Sequence, residues 1–259
     1  MSSTRAASRL EESVRAAGDV KLVPYLMAGY PDVQGSIAQG RAFARAGAAA
    51  IEVGVPFSDP LADGPAVQRA GEVALAGGMT VAGALEVAEE VAREGVPVVL
   101  MTYVNPVLAY DTRRFAAEAA ESGVAGVIIP DLPAEESEPV AGWLRSAGLD
   151  TIFLAAPTSP DSRLLSIAER STGFVYCVTL RGVTGARAQL ASGLDRLLER
   201  VRQATSLPIA AGFGISRPEH VAALKGKVDA AVVASALLER LHQGLDPVPL
   251  VEELLAACR

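Results

Sequence analysis

The feature that most constrains this 259-residue sequence is a repeated alternation of short apolar runs with Ala/Glu/Arg-rich segments at helical spacing. Runs rich in Val, Ile and Ala, each followed by a helical segment, are typical of parallel strands buried on both faces. There are eight such runs: Lys21 to Met27, Ala49 to Val53, Pro97 to Tyr103, Ala125 to Ile129, Thr151 to Leu154, Phe174 to Val178, Pro208 to Ala211 and Asp229 to Val233. Eight units without a linker predict one domain over residues 1–259, a single (β/α)8 barrel of the TIM type; an open doubly wound sheet is the alternative.

Helix starts can be read between these runs. Asp32, Thr80, Asp111 and Ser159 occupy positions where N-caps are expected. A further helix near Arg5 to Arg15 is predicted before the first strand.

Two connections are longer than a barrel requires. The second and third runs start 48 residues apart, and the insertion begins with residues 54–65. A second long connection, residues 179–187, follows the sixth run. In a barrel both lie at the carboxyl ends of the strands, where catalytic residues gather, so we expect the functional site there.

Composition excludes several classes of partner. With 30 acidic and 23 basic residues the formal net charge is −7, which does not favour binding to nucleic acid or anionic lipid. Two cysteines are too few for a disulfide framework, and the first residues lack the apolar stretch of a secretory signal, so a cytoplasmic location is expected.

The positions of the histidines and lysines exclude several catalytic mechanisms. His220 and His242 fall within helical segments away from strand ends, so a catalytic triad, a histidine base or a metal site is not expected. Lys21, Lys225 and Lys227 fall at the end of the barrel opposite the carboxyl ends of the strands. A Schiff-base mechanism is therefore not expected, because no lysine amine would lie at the site. Carboxylates remain as the candidate catalytic groups.

Glu52 is the first of these carboxylates. Period-two alternation in the second run places it on one face with Ala50 and Gly54, and places Ile51 and Val53 on the other. Small residues suit the narrow barrel interior, where burial would raise the pKa of Glu52 toward neutrality. The alternative is an outward-facing glutamate in a surface ion pair.

The insertion and the last two strands supply further candidates. Asp59 and Asp63 lie in a proline-rich loop that could hold a carboxylate above Glu52, or they could simply form turns. Residues 212–214 end the seventh strand and Ser235 follows the eighth, which is the phosphate site of many barrels; a glycine turn and an ordinary helix cap are the alternative.

Short motifs spread along nearly the whole chain can be compared with known sequences. They are Pro24-Tyr25-Leu26, Ala28-Gly29-Tyr30-Pro31, residues 52–65 (EVGVPFSDPLADGP), Met101-Thr102-Tyr103, Asn105-Pro106, Pro130-Asp131-Leu132-Pro133, Gly182-Val183-Thr184-Gly185 and Gly212-Phe213-Gly214-Ile215. Together they resemble the tryptophan synthase α subunit family. The long motif after the second strand makes this resemblance specific, because it is not a general feature of barrels.

The resemblance implies cleavage of indole-3-glycerol phosphate to indole and glyceraldehyde 3-phosphate by a carbon–carbon lyase in tryptophan biosynthesis. Glu52 matches the family carboxylate that protonates the indole ring carbon and takes the proton of the glycerol hydroxyl. Asp63 matches the carboxylate that stabilises positive charge at the indole nitrogen, and Tyr176 matches a tyrosine near Glu52.

Binding residues are implied in the same way. The resemblance places the mobile loop after the sixth strand at Thr184. Ala234 stands where the family usually has glycine, and Met27 where it usually has threonine. The phosphate contacts are matched by Gly185, Gly214, Ala234 and Ser235, and the indole-binding walls by Tyr25, Met101, Tyr103, Ile128 and Phe213.

The resemblance also implies a partner and no cofactor in this chain. The family partner is a β subunit that carries pyridoxal phosphate and receives the indole, in an α2β2 heterotetramer. Two alternatives remain: a free-standing lyase that releases indole, and a weakly active chain that mainly activates a β subunit.

Overall fold

The strands of this chain form one parallel sheet that returns on itself. The computed structural model describes residues 6–16, 18–178, 187–212 and 214–259, with 187–192 given as backbone only. Within these ranges nine strands follow the order β5-β4-β3-β2-β1-β9-β8-β7-β6. They are β1 Lys21–Met27, β2 Ile51–Gly54, β3 Val98–Met101, β4 Val124–Ile128, β5 Asp150–Ile152, β6 Leu154–Ala155, β7 Val175–Val178, β8 Ile209–Gly212 and β9 Ala230–Val233. Because β5 and β6 are successive parts of one run, the sheet closes as a (β/α)8 barrel, as predicted.

The fifth predicted run forms two short strands instead of one. The run splits at Phe153, and its two halves pair with different neighbours: β5 pairs with β4, whereas β6 pairs with β7. The fifth run therefore bridges the two halves of the barrel.

The helices alternate with the strands as predicted. They are α1 Arg9–Val14, α2 Val33–Ala46, α3 Pro65–Ala76, α4 Val81–Ala92, α5 Val104–Tyr110, α6 Thr112–Glu121, α7 Glu138–Ser146, α8 Asp161–Arg170, α9 Arg187–Ala204, α10 Pro218–Ala222, α11 Ser235–His242 and α12 Val248–Cys258. The side chains of Asp32, Thr80 and Asp111 accept backbone N–H bonds as N-caps of α2, α4 and α6. The prediction for Ser159 is wrong: Pro160 is the N-cap of α8, and the Ser159 hydroxyl instead accepts the Ala156 N–H at 3.1 Å.

The insertion after β2 consists of the loop 55–64 and two helices, α3 and α4, before β3 begins. The second predicted insertion follows β7, and residues 179–186 of it lie outside the described residues. In the described part of the chain, no helix on its own has the length and hydropathy to cross a membrane; α3 and α4 meet that test only together, across a bend of 109°.

The barrel interior and its surroundings form two separate cores. Ile51 and Val53 pack in the outer core between strands and helices, whereas Ala50 belongs to the inner core, so the predicted alternation in β2 is confirmed. The inner core consists of Leu10, Val14, Val23, Ala50, Val99, Ile128, Ile152, Phe174, Ala210, Ala230 and Val232.

Helix α1 closes the amino-terminal end of the barrel. Leu10 and Val14 from this helix are fully buried among the inner-core residues. The Ser8 hydroxyl accepts the Glu11 N–H as the N-cap of α1 and donates to the carboxylate of Asp150 at the start of β5. The extra N-terminal helix is thus present, and it leaves the opposite end of the barrel open.

Candidate active site

Glu52 points into the barrel from β2. In the sheet register it lies beside Tyr25 of β1 and Val99 of β3, and its exposed fraction is only 2%. Its Oε2 atom is buried without a hydrogen-bond partner in the described residues. Burial, and secondarily the negative charge of Asp63, raises the pKa of Glu52 from 4.5 to about 8. The outward-facing alternative is therefore wrong.

Asp63 lies close to Glu52, at the end of the loop 55–64. Burial raises the pKa of Asp63 to about 6, while a hydrogen bond from Tyr103 acts in the opposite direction. At pH 7 these pKa values leave Glu52 mostly protonated and Asp63 mostly ionised. Two neighbouring carboxyl groups thus differ in charge, which is the arrangement expected of an acid and an electrostatic partner.

Two tyrosines enclose the carboxylates. Tyr25 comes from β1 and Tyr176 from β7, which is four strands away from β2 around the barrel. Burial raises the pKa of both hydroxyls well above its usual value, and the charges of Glu52 and Asp63 raise both further.

Glycines at two strand ends make room for these tyrosines. A Cβ atom at Gly54 would lie 1.9 Å from the Tyr25 hydroxyl, and one at Gly212 would lie 2.6 Å from the Tyr176 hydroxyl. Only glycine permits such close approach without displacing the tyrosines.

These residues surround a cavity of about 580 Å³, a volume in the usual range for small-molecule sites. Of the predicted site residues in the described part of the chain, all but Tyr103 line it: Tyr25, Glu52, Asp63, Met101, Ile128, Tyr176, Gly214, Ala234 and Ser235. Tyr103 is 3% exposed and lies next to the loop, where its hydroxyl accepts the Ala62 N–H at 3.1 Å. Thr184, Gly185 and Phe213 lie outside the described residues.

The three predicted phosphate residues that the structure describes, Gly214, Ala234 and Ser235, line this cavity together. Helix α11 begins at Ser235, and Ala234 is its N-cap without a side-chain cap hydrogen bond. Gly214 has a φ of +68°, a conformation that L side chains rarely adopt. A helix start beside a glycine turn presents backbone N–H groups, which suits an anion.

Sequence reasoning missed several cavity residues. Leu154, Val178 and Val232 lie in or at the ends of strands, where extending the period-two alternation could have identified inward positions. Leu61 and Val67 come from the inserted loop and α3, for which periodicity gives no inward signal. The cavity residues not predicted are Leu61, Ala62, Gly64, Pro65, Val67, Pro130, Leu154, Val178 and Val232, whereas Gly212 belongs to the predicted phosphate turn.

The described residues contain no group of three or more His, Cys, Asp or Glu side chains that could hold a metal ion. His220 and His242 are exposed on α10 and α11. Among the described residues, the ionisable side chains that line the cavity are those of Glu52, Asp63, Tyr25 and Tyr176.

Comparison with known proteins gives one consistent result. The family model described as tryptophan synthase alpha chain matches residues 12–257. The chain is 48% identical to the tryptophan synthase alpha chain of Roseiflexus sp. (strain RS-1), covering 91% of this chain and 92% of that protein. It is 50% identical to the tryptophan synthase alpha chain of Gluconacetobacter diazotrophicus, covering 87% and 83%. A crystal structure of tryptophan synthase from M. tuberculosis, in an aminoacrylate- and BRD0059-bound form, superposes with a TM-score of 0.90 at 38% identity, covering 98% of this chain and 99% of that one.

Proposed function

The chain belongs to the tryptophan synthase alpha chain family, whose members are carbon–carbon lyases that cleave indole-3-glycerol phosphate, and we propose that Glu52 and Asp63 perform this cleavage here. The observation that carries the assignment is the buried Glu52 carboxyl group, which faces the cavity with one oxygen that has no partner among the described residues. A carboxyl group without a partner in the folded chain is free to exchange a proton with a substrate.

The pKa values support a division of roles. Glu52, protonated at pH 7, donates its proton to the indole ring carbon, and the ionised Asp63 stabilises the positive charge that develops at the ring nitrogen. The Glu52 carboxylate then takes the proton of the glycerol hydroxyl. The carbon–carbon bond breaks to give the aldehyde, and its electron pair restores the indole ring.

The remaining cavity residues fit the other parts of this substrate. Met101, Ile128 and Tyr25 give an apolar wall for the indole ring near Glu52. Gly214, Ala234 and Ser235 form the phosphate end, where a helix start and a glycine turn favour an anion without a cation. Tyr176 lines the cavity from β7, close enough to Glu52 for the charge of that carboxylate to raise the pKa of Tyr176.

The chain works with a β subunit, as expected for this family. We further propose that the assembly is an α2β2 heterotetramer, that pyridoxal phosphate resides in the β subunit, and that both act in the cytoplasm. This arrangement passes the indole to a second reaction in tryptophan biosynthesis.

The experiment is an indole-release assay with Glu52→Gln, which keeps the side-chain size and removes the exchangeable proton. We expect kcat to fall by about 10²–10⁴-fold, the usual effect of losing a general acid/base, with little change in substrate affinity. Glu94→Gln is the matched control, because Glu94 is ion-paired with Arg45 on the surface and should retain full activity.

Each assay is run with and without added β subunit. High indole release by the chain alone would favour the free-standing lyase. Negligible release under both conditions, together with stimulation of the β subunit, would favour an activating partner. An active Glu52→Gln enzyme would refute the role of Glu52.

A further inference from the structure

Asp63 depends on few contacts for its position. It lies in the loop 55–64, whose neighbouring residue Leu61 is 93% exposed. The backbone of this loop is held from one side by Gln68 of α3, whose amide donates to the carbonyl oxygens of Asp63 at 3.0 Å and Pro60 at 3.4 Å. These bonds fix the backbone and leave the Asp63 carboxylate to be oriented by other groups.

Tyr103 provides the contact on the other side. Its hydroxyl accepts the Ala62 N–H at 3.1 Å, and its ring packs against Phe57 with a centroid distance of 5.3 Å. The same hydroxyl lies close enough to the Asp63 carboxylate to lower the pKa of Asp63. One side chain thus contacts the beginning of the loop, the residue before Asp63 and Asp63 itself.

Tyr103 is itself firmly placed. It lies two residues after the end of β3, it is 3% exposed, and the next backbone N–H, that of Val104, donates to Asp131 at 2.9 Å. A rigid strand end is a better anchor for a catalytic carboxylate than an exposed loop.

We propose that Tyr103 is a positioning residue, which holds the Asp63 carboxylate at the cavity, and not a wall of the indole pocket. The proposal rests on the proposed function of Asp63. It also differs from the role that family resemblance implies, because Tyr103 does not line the cavity in the described residues.

The test is Tyr103→Phe, which removes the hydroxyl and keeps the ring. An indole wall would survive this change, whereas a positioning residue would lose its contacts with Asp63 and Ala62. We expect kcat to fall roughly tenfold or more with KM nearly unchanged. The interaction of the hydroxyl with the ionised carboxylate would be lost, so the pKa of Asp63 should rise above about 6. The acidic limb of the kcat/KM profile should therefore move to higher pH by roughly one unit.

Tyr110→Phe is the matched control, because the Tyr110 hydroxyl also donates to a carboxylate, that of Glu118, but on the surface of α5 and α6. It should leave kcat and the acidic limb unchanged. In a double-mutant cycle, Tyr103→Phe should have little further effect in an Asp63→Asn background, because the group it positions is already gone.

A second readout needs no turnover. Carbon-13 NMR of the ligand-free protein reports the titration of the Asp63 carboxyl group, which should shift upward in Tyr103→Phe. If that variant fails to fold, Phe57→Leu, which loosens the ring side of the same contact, should still lower kcat.

Three outcomes would overturn the proposal: unchanged kcat and acidic limb in Tyr103→Phe, a raised KM with unchanged kcat, or full additivity with Asp63→Asn. Failure of the proposed function has a different signature, since Asp63→Asn would then be as active as the unaltered chain.

Discussion

Buried carboxylates at the two ends of the barrel interior differ in how many hydrogen-bond and ion-pair partners they have. At the amino-terminal end, Asp229 accepts the Ile209 N–H at 2.9 Å and pairs with Arg202, and Asp150 accepts the Ser8 hydroxyl. At the carboxyl-terminal end, Glu52 is equally buried but one of its oxygens has no partner in the described residues. The contrast indicates that this chain satisfies carboxylates where they serve the fold and leaves one unsatisfied where it faces the cavity.

Helix α1 makes the two ends differ in packing as well. Its Leu10 and Val14 fill the amino-terminal end of the interior, while the other end remains a cavity of about 580 Å³. Three stability experiments compare the two ends.

The largest expected effect is a pH-dependent stabilisation by Glu52→Gln. Folding raises the pKa of Glu52 from 4.5 to about 8. The contribution of the protonated side chain to the free energy of unfolding is therefore complete below about pH 4.5 and is lost as pH rises through about 8. At about 1.4 kcal/mol per pKa unit, the ionised glutamate costs on the order of 3 to 5 kcal/mol above that range. The free energy of unfolding of Glu52→Gln, relative to the unaltered chain, should therefore be higher at pH ~9 than at pH ~5. Glu94→Gln should show no such gain, because Arg45 lowers the pKa of Glu94.

The same relative stability at both pH values would mean that Glu52 is not desolvated. The contrast between the two ends would then lose its energetic basis.

The second effect concerns packing. Leu10 is 1% exposed and fills the closed end, whereas Leu154 is only partly buried at the cavity wall. Leu10→Ala should lower the free energy of unfolding by about 2 to 4 kcal/mol, because it leaves a void in a packed core. Leu154→Ala should cost about 1 kcal/mol, because the space it leaves joins an open cavity. Urea unfolding measures both, and equal losses would contradict the contrast between a closed end and an open one.

The smallest effect concerns the attachment of α1. Ser8→Ala removes the N-cap of this helix and the contact with Asp150, so we expect a loss of about 1 to 2 kcal/mol. Thr80→Ala removes only a comparable cap from α4 and should cost about 0.5 to 1 kcal/mol. If Ser8→Ala cost no more than Thr80→Ala, the Asp150 contact would contribute nothing to closing the barrel.

Much of the fold could be predicted from local patterns. Strand β1 has the predicted bounds, and the other strands differ from the predicted ones by a few residues. The prediction succeeds because strands buried on both faces appear in the sequence as continuous apolar runs. The division at Phe153 was not predictable, since it arises from pairing with two different neighbours.

Part of the site could also be predicted from local sequence patterns. The inward position of Glu52 follows from alternation with Ala50 and Gly54, and its burial in the cavity lining confirms it. The placement of Tyr103 beside Asp63 does not follow from any local pattern, because the two residues belong to different connections brought together by neighbouring strands.

The sequence by itself determined the barrel, the inward-facing glutamate and the inserted loop with its second carboxylate, because period and spacing are properties of neighbouring residues. Only the tertiary structure decided which end of the barrel α1 closes, that one oxygen of Glu52 lacks a partner among the described residues, and that Tyr103 contacts the Asp63 loop. Those facts depend on distances between residues far apart in the chain, and burial and pKa follow from such distances.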